Sequence, residues 1–234
     1  MPPPKAARWG HNIYVYFNIR TNQTLYSLMP ALNNNEALKQ IPYLGKKTVP
    51  AALRKDLWQP LALLSFPRSE QGLLAYRHLR EFKKMHELSW DKEDFKQEKN
   101  PNNLLSMKQR GKKLMDQKAN SVADMAATLW LQERAVGEWL AKKQEAEAHD
   151  AWLVQQARSK GRPAPKTVGK GFRIESLEGI KIRWGDIHDA EFAESWPSAV
   201  IHDGLPPTRN AMPTLKQLRE LEDSSVGDVE AVAA

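Results

Sequence analysis

Cysteine is absent from all 234 residues of the chain. This absence excludes disulfides, cysteine-ligated zinc and iron–sulfur centres, and thiol catalysis. Long apolar runs are also missing. The best candidate, residues 61–66, has the length of a strand, whereas a helix needs roughly 18 apolar residues to cross a bilayer. We therefore expect no transmembrane segment.

A complete phosphate-binding loop is missing as well. That loop needs a glycine, four further residues and then Gly-Lys-Ser/Thr, so that backbone amides surround the phosphates. Residues 45–48 supply only the end of such a motif, and Gln40 stands where its first glycine would be. The sequence indicates neither nucleotide hydrolysis nor a small-molecule cofactor, and we expect the protein not to be an enzyme.

Charge is present in excess and unevenly distributed. The net charge is +7, but residues 1–118 carry 21 Lys and Arg against 10 Asp and Glu, whereas the remainder carries 14 against 18. A basic half favours a polyanionic partner, because neutralising phosphates releases condensed counterions. The alternative is an ordinary solvated basic surface.

Residues 12–28 are predicted to form a β-hairpin. Apolar and polar positions alternate from residue 12 to residue 19, which is the period of a half-buried strand. Turn-forming residues 20–23 precede a second strand over residues 24–28. The expected core face comprises Ile13, Val15, Phe17 and Ile19, and the opposite face comprises Tyr14, Tyr16 and Asn18.

A third strand and a covering helix complete the predicted core. Residues 57–66 should pair with the hairpin, with Pro60 marking an edge position or a bulge because proline cannot donate to the ladder. A short helix is expected after the cap at residues 33–35, and a longer one over residues 69–88. In the longer helix, Leu74, His78, Phe82 and Met85 should face the sheet, and Arg77, Arg80 and Lys84 should face outward. The predicted fold class is α+β, with a small antiparallel sheet and a covering helix, followed by long helical and extended basic extensions.

Helical extensions are predicted beyond this core. A short basic helix over residues 104–118 should precede a longer helix that starts at a Ser121–Asp124 cap and reaches residue 160. So long a helix must lie across another surface or break near Gly137. Its expected apolar stripe is Val122, Met125, Leu129, Val136 and Leu140, and Trp130, Trp139 and Trp152 favour a partner surface.

The C-terminal third is predicted to contain a hairpin around Glu178–Gly179 over residues 172–184, followed by a short helical patch with Phe192 and Trp196. Before it, a linker rich in Gly, Pro and Lys needs a partner to adopt one shape. The predicted organisation is an N-terminal extension (1–11), an α+β core domain (12–95), a helical extension (96–160), a flexible basic linker (161–171), a hairpin and helix module (172–206) and an acidic tail (207–234).

Acidic and histidine side chains cluster near the C-terminal end and suggest two interpretations. Imidazole and carboxylate groups are natural ligands for divalent cations, which suggests a metal or nuclease site, but such residues also meet by chance in polar segments. We favour structural roles, in which they cap turns and bond to backbone or to a partner. The cluster comprises Asp186, His188, Asp189, Glu191, His202 and Asp203.

Basic clusters provide the stronger functional signal. A rigid basic face together with a flexible basic arm is typical of proteins that bind folded RNA, since the face contacts phosphates and the arm enters clefts. Trp58 and Trp184 could stack on bases, but core packing is the preferred role for both. The candidate nucleic-acid-binding residues are Lys46, Lys47, Arg54, Lys55, Arg77, Arg80, Lys83, Lys84, Arg162, Lys166, Lys170 and Arg183.

Three short segments carry a family resemblance: Leu-Arg-Lys-Asp-Leu-Trp at residues 53–58, Ile-Tyr-Val-Tyr-Phe-Asn at 13–18 and Leu-Tyr-Ser-Leu at 25–28. Together they resemble the fungal mitochondrial homologous recombination protein family, whose members are also constituents of the mitochondrial large ribosomal subunit. The resemblance covers residues 12–95 and, in patches such as Ile-Arg-Trp at 182–184 and Glu-Ser-Trp-Pro at 194–197, residues 178–206.

Two functions follow from this resemblance. The leading one is a structural constituent of the mitochondrial large ribosomal subunit in the matrix, which binds large-subunit rRNA and neighbouring ribosomal proteins. The alternative is a factor that binds mitochondrial DNA and promotes ATP-independent homologous pairing in recombination and genome maintenance. A ribosomal protein should be stoichiometric with its subunit, whereas a free DNA-binding factor should be scarce and lose affinity steeply with salt.

Overall fold

The computed structural model describes residues 9–43, 49–89, 95–96, 103–159, 176–206, 212–213 and 216–217, with only the helix backbone for residues 142–143 and 145–159. The strands are β1 (Asn12–Asn18), β2 (Thr24–Ser27), β3 (Trp58–Ser65), β4 (Lys181–Trp184) and β5 (Ile201–Gly204). The helices are α1 (Asn34–Leu38), α2 (Ser69–Leu88), α3 (Met107–Met115) and α4 (Lys118–Ser159), with two 3₁₀ segments at Lys55–Leu57 and Ile187–Phe192.

The five strands form one sheet in the order β2-β1-β3-β4-β5. This arrangement confirms the α+β class and the N-terminal hairpin. The sheet is mixed, however, because β4 and β5 are parallel while the other three pairs are antiparallel. After β4 the chain returns through the second 3₁₀ segment to the end of the sheet where β4 begins, so β5 runs in the same direction as β4.

The hairpin predicted over residues 172–184 is wrong in the pairing of its second strand, and residues 172–175 of its first strand lie outside the described part of the chain. A turn is present at Glu178–Gly179, where Gly179 has a φ of 82° that favours glycine. Strand β4 nevertheless has β3 on one side and β5 on the other, so no position remains beside it for a third strand. Strands from residues 12–65 and from residues 181–204 therefore share one sheet.

Both faces of strand β1 are buried. The predicted alternation is confirmed, since Ile13 and Val15 belong to one hydrophobic cluster and Tyr14 and Tyr16 to another. The first cluster packs under α2 and α4, and the second under α1. Most of the strand is buried rather than half-buried, because a layer covers each side, and Phe17 is partly buried. Ile19 lies beyond the ladder and is 47% exposed.

Strand β3 occupies the centre of the sheet. The pairing shifts between Val15, which lies opposite Ala62, and Tyr16, which lies opposite Pro60, so Leu61 is the extra residue of a bulge. The predicted bulge is confirmed and the predicted edge position is wrong. Proline is tolerated here because its missing N–H is not needed for the ladder with β4, which ends at Ala62. The next backbone bond on that side runs from the Gly185 N–H to the Leu61 carbonyl, at 2.8 Å.

Helix α2 has the predicted bounds but is rotated from the predicted orientation. Leu74 packs against the core as expected, whereas Met85 is 48% exposed. The buried stripe instead contains a lysine, because its members follow the i, i+4 spacing from a different starting residue. These buried residues are Gln71, Gly72, Ala75, Leu79 and Lys83.

Helices α3 and α4 begin at different positions from those predicted. Ser106 and Gln109 form a capping box that starts α3. Ser121 and Asp124 do not cap α4, because both are buried inside it; the Ser121 hydroxyl lies 2.5 Å from that of Thr24, and Asp124 bonds to His86 at 2.8 Å.

Helix α4 runs without a break through Gly137. Its predicted apolar stripe is buried from Val122 to Val136, and Leu140 beyond it is 42% exposed, so the helix continues past the core. No helix among the described residues combines the length and apolar character needed to cross a membrane.

Two glycines give opposite stability predictions. A Cβ on Gly72 would sit 1.8 Å from the Gly10 carbonyl oxygen, whereas a Cβ on Gly137 would meet nothing within 4 Å. We expect Gly72→Ala to destabilise the fold by about 1–3 kcal/mol through overpacking, and Gly137→Ala to stabilise it by up to about 1 kcal/mol because alanine favours helix. Urea unfolding measures both; equal midpoints would contradict the close approach at Gly10.

Candidate nucleic-acid interface

The outer face of α2 carries an exposed pair of cations. Arg77 and Lys84 are exposed, as predicted. Arg80 lies between them in sequence and is partly buried, because its guanidinium donates to the Tyr76 hydroxyl at 3.2 Å and lies 5.9 Å from the centre of that ring. This face therefore presents two exposed cations and a third that is held against a tyrosine ring.

Lys83 was predicted as a nucleic-acid contact, and this assignment is wrong. Its side chain is buried, and its ammonium donates to the Thr24 carbonyl on β2. Burial lowers the pKa of Lys83 to about 7, and nearby Glu87 offsets only part of this shift. Lys83 therefore supports the sheet edge and cannot reach a phosphate.

Arg183 is also unavailable for a nucleic-acid contact. Its side chain is only 9% exposed, and its guanidinium lies 3.7 Å from the Asp203 carboxylate of the neighbouring strand. Trp58 and Trp184 are buried, which confirms core packing and leaves neither ring free to stack on a base. Trp184 packs edge-on against Trp196, with 5.7 Å between ring centroids.

The remaining predicted cations lie apart from α2. Arg54 and Lys55 are exposed just before β3, and Arg54 pairs with Asp56 at 2.7 Å. The other predicted residues fall outside the described parts of the chain, so the structure does not place them. These are Lys46, Lys47, Arg162, Lys166 and Lys170.

Helix α3 carries basic residues that were missed when individual site residues were assigned. Lys108, Lys112 and Lys113 are exposed and Arg110 is partly exposed. No acid occurs in this nine-residue helix. The Lys113 ammonium lies 5.8 Å from the centre of the Phe95 ring, which is buried beneath it. The density of bases without an intervening acid was visible in the sequence and could have identified this helix.

A cavity of about 280 Å³ lies where α2, α3 and the start of α4 meet. Its lining includes Lys83, Lys113 and the carboxylates of Glu87 and Asp124. Burial raises the pKa of both carboxyl groups. The cavity lining mixes cations and carboxylates, whereas the exposed cations lie on the outer surfaces of α2 and α3.

The acidic and histidine cluster is held by structural contacts. Asp186 accepts the His188 N–H at 3.1 Å, and Asp189 pairs with Lys118 at 2.7 Å. His202 Nδ1 accepts the Trp184 indole N–H at 3.0 Å. Within the described ranges, no group of three or more His, Asp or Glu side chains is arranged to hold a metal ion. These contacts agree with the structural interpretation of the cluster.

Residues 10–93 match a protein family, Mhr1, described as transcriptional regulation of mitochondrial recombination. The matched range contains β1, β2, α1, β3 and α2. It therefore includes the N-terminal hairpin and the cations on the outer face of α2, and it stops before the helices that follow.

Three fungal proteins named large ribosomal subunit protein mL67 are similar to this chain. The protein of Neurospora crassa is 32% identical over 204 residues, covering 84% of this chain and 67% of its own length. The protein of Schizosaccharomyces pombe is 32% identical over 124 residues, which cover 50% of this chain and 66% of that protein. The Candida albicans protein is 27% identical over 84 residues, or 36% and 35% of the two chains.

Burial of Lys83 predicts a pH-dependent stability. The unfolded chain holds the lysine proton up to about pH 10.4, whereas the folded chain releases it near pH 7. Between these values the unfolded state binds more protons, so stability rises with pH, by at most about 1.4 kcal/mol per pH unit. We expect Lys83→Met to flatten this rise and Lys84→Met to preserve it.

Unfolding by urea at pH 7.5, 8.5 and 9.5 measures this effect. The range stops there because burial raises the pKa of Tyr14, Tyr16 and Tyr26, and retained tyrosine protons lower the stability at higher pH. Identical slopes for the two lysine variants would show that Lys83 does not titrate in this way.

Proposed function

The chain belongs to the family of large ribosomal subunit protein mL67, and we propose that it is a structural constituent of the mitochondrial large ribosomal subunit. The observation that carries this proposal is the similarity to the Neurospora crassa protein over 84% of the chain. That extent reaches beyond the hairpin and α2 into the later parts of the chain. The proposed location is the mitochondrial matrix, and the proposed role is architectural rather than enzymatic.

We further propose that the outer faces of α2 and α3 contact rRNA. The support is electrostatic and geometric, because Arg77, Lys84 and the α3 lysines are exposed, and both helices border the same cavity. Cations presented by rigid helices can pair with backbone phosphates without reading bases. Arg54, Lys55 and the basic residues at positions 46, 47, 162, 166 and 170 are candidates for further phosphate contacts.

Neighbouring ribosomal proteins are the second class of proposed partner. Helix α4 extends beyond the core, and Trp130 and Leu140 on it are more than two-fifths exposed. A partner that covered these apolar groups would remove their surface from water, which favours association. Both groups lie on the same helix that closes the core.

A mitochondrial DNA-binding factor that promotes homologous pairing is the second candidate function. It is favoured by the description of the family matched by residues 10–93, which refers to mitochondrial recombination. The same cations on α2 could bind DNA phosphates, since phosphate contacts carry no sequence information. The two candidates differ in the nucleic acid that the protein binds, which is rRNA for the first and mitochondrial DNA for the second.

Sedimentation of a mitochondrial lysate on a sucrose gradient distinguishes the candidates. We expect the protein to migrate with the large subunit at moderate salt, to lose this position after RNase treatment and to keep it after DNase treatment. Slow sedimentation, or sensitivity to DNase alone, would refute the ribosomal assignment and favour the recombination factor.

Charge reversal tests the α2 contact. We expect Arg77→Glu together with Lys84→Glu to lower incorporation into the large subunit by roughly tenfold, because two attractive phosphate contacts become repulsive. Arg80 is left unchanged because it packs on Tyr76. The control is Lys39→Glu, which reverses an exposed lysine at the end of α1, on the opposite face of the sheet from α2.

Circular dichroism and thermal unfolding would establish that the double variant is folded. Normal incorporation of a folded double variant would exclude this face of α2 as the RNA contact. Equal losses in the double variant and in Lys39→Glu would point to net charge rather than to a defined surface.

A further inference from the structure

The two edge strands of the sheet differ in whether their outward backbone groups have hydrogen-bond partners. Strand β2 forms the closed edge, at which these groups are all bonded. The backbone groups of Thr24 and Tyr26 point away from β1, because Leu25 and Ser27 make the ladder bonds in this register. Gln40 accepts the Tyr26 N–H at 3.0 Å and donates to its carbonyl at 2.7 Å. Gln117 accepts the Thr24 N–H at 3.4 Å and Lys83 donates to its carbonyl. All four outward groups therefore have partners.

Strand β5 forms the open edge. The Ile201 N–H donates to the Ile180 carbonyl at 3.1 Å and the Leu205 N–H to the Trp184 carbonyl at 2.6 Å. Because alternate residues of a parallel strand bond to the same neighbour, the backbone groups of His202 and Gly204 point away from the sheet. The Gly204 N–H reaches only the Asp203 carboxylate, at 2.8 Å. Among the described residues, no partner accepts from the His202 N–H or donates to either carbonyl.

Side chains hold this open edge in a strand conformation. The His202 ring lies parallel to that of Trp184, with 6.1 Å between the ring centroids, and accepts its indole N–H. On the opposite face, Ile201 is 50% exposed and the Asp203 side chain is 59% exposed. A preformed strand loses little conformational entropy when a second strand pairs with it. The exposed isoleucine offers apolar area to the side chains of that strand.

The surface around β5 is acidic, and its charge indicates which kind of molecule could bind there. Residues 176–206 carry six acids and two bases, and one of those bases, Arg183, is already close to Asp203. This surface repels phosphate backbones, which argues against RNA. A second copy of the chain is disfavoured too, because edge-to-edge pairing would bring two such acidic surfaces together.

We propose that β5 binds an extended, basic segment of another protein chain, which adds a sixth strand to the sheet. Main-chain hydrogen bonds to His202 and Gly204 provide the affinity, and a cation facing Asp203 and an apolar side chain covering Ile201 provide the specificity. This contact goes beyond the proposed ribosomal function, and it can be tested whichever assembly holds the protein.

The test is site-specific photo-cross-linking in intact fungal cells whose sole copy is the full-length chain with p-benzoylphenylalanine in place of Ile201. The cross-linked product is purified under denaturing conditions and the attached peptide is sequenced. We expect one basic segment from a different protein. RNA, a second copy, a segment of the same chain or the absence of a specific product would each overturn the proposal.

Two variants of Gly204 test whether strand pairing holds the segment. Gly204→Pro removes the outward N–H and places a proline ring on the edge, without removing a bond to β4. Gly204→Ala keeps the N–H, and the added methyl group fits because a Cβ there meets nothing within 4 Å. We expect the cross-link yield to fall roughly tenfold for proline and to stay within about twofold for alanine. Equal yields in the two variants would overturn strand addition.

The cellular abundance of each variant is measured in the same experiment. If the proline variant is unstable, the sequence of the attached peptide decides the proposal. Because the gradient position is scored separately, failure of the ribosomal assignment and failure of this contact give different results.

Discussion

Pairing of strand β3 on both sides holds this protein together. One side of β3 forms the longest ladder of the sheet with β1, and the other side pairs with β4 from the opposite end of the sequence. The bulge at Leu61 lets the ladder with β1 continue past Pro60, and Gly185 then bonds to the Leu61 carbonyl. Without this strand the N-terminal hairpin and the C-terminal strands would have no common core.

Because both faces of the sheet are covered, the backbone N–H and carbonyl groups that still need hydrogen-bond partners lie on its edge strands. Buried backbone groups need partners, and at β2 these partners are the side chains of Gln40, Gln117 and Lys83. A lysine used in this way is buried despite its charge, and its pKa falls for that reason. Basic composition therefore overstates the basic surface, because the side chains of Lys83 and Arg183 are buried.

The separation of charge along the chain becomes a separation in space. Exposed cations lie on α2 and α3 around one cavity, whereas acids concentrate around β5 and the second 3₁₀ segment. The proposed partners follow this division: an RNA backbone on the helical side, and a basic protein segment on the β5 edge. In this proposal a chain with a modest net charge binds two partners of opposite charge on two separate surfaces.

The sequence by itself determined the features that depend on neighbouring residues. Period-two alternation identified β1, the Asn33 cap preceded α1, and the bounds of α2 were predicted correctly, although its N-cap residue Arg68 makes no side-chain capping bond. The family was also identified from short segments whose order was preserved. Tertiary structure alone decided that β4 pairs with β3, that Ser121 and Asp124 are buried rather than capping, and that Lys83 and Arg183 are buried. Each of these depends on a contact between residues distant in sequence, such as Lys83 with Thr24, and neither composition nor periodicity records which distant groups will meet.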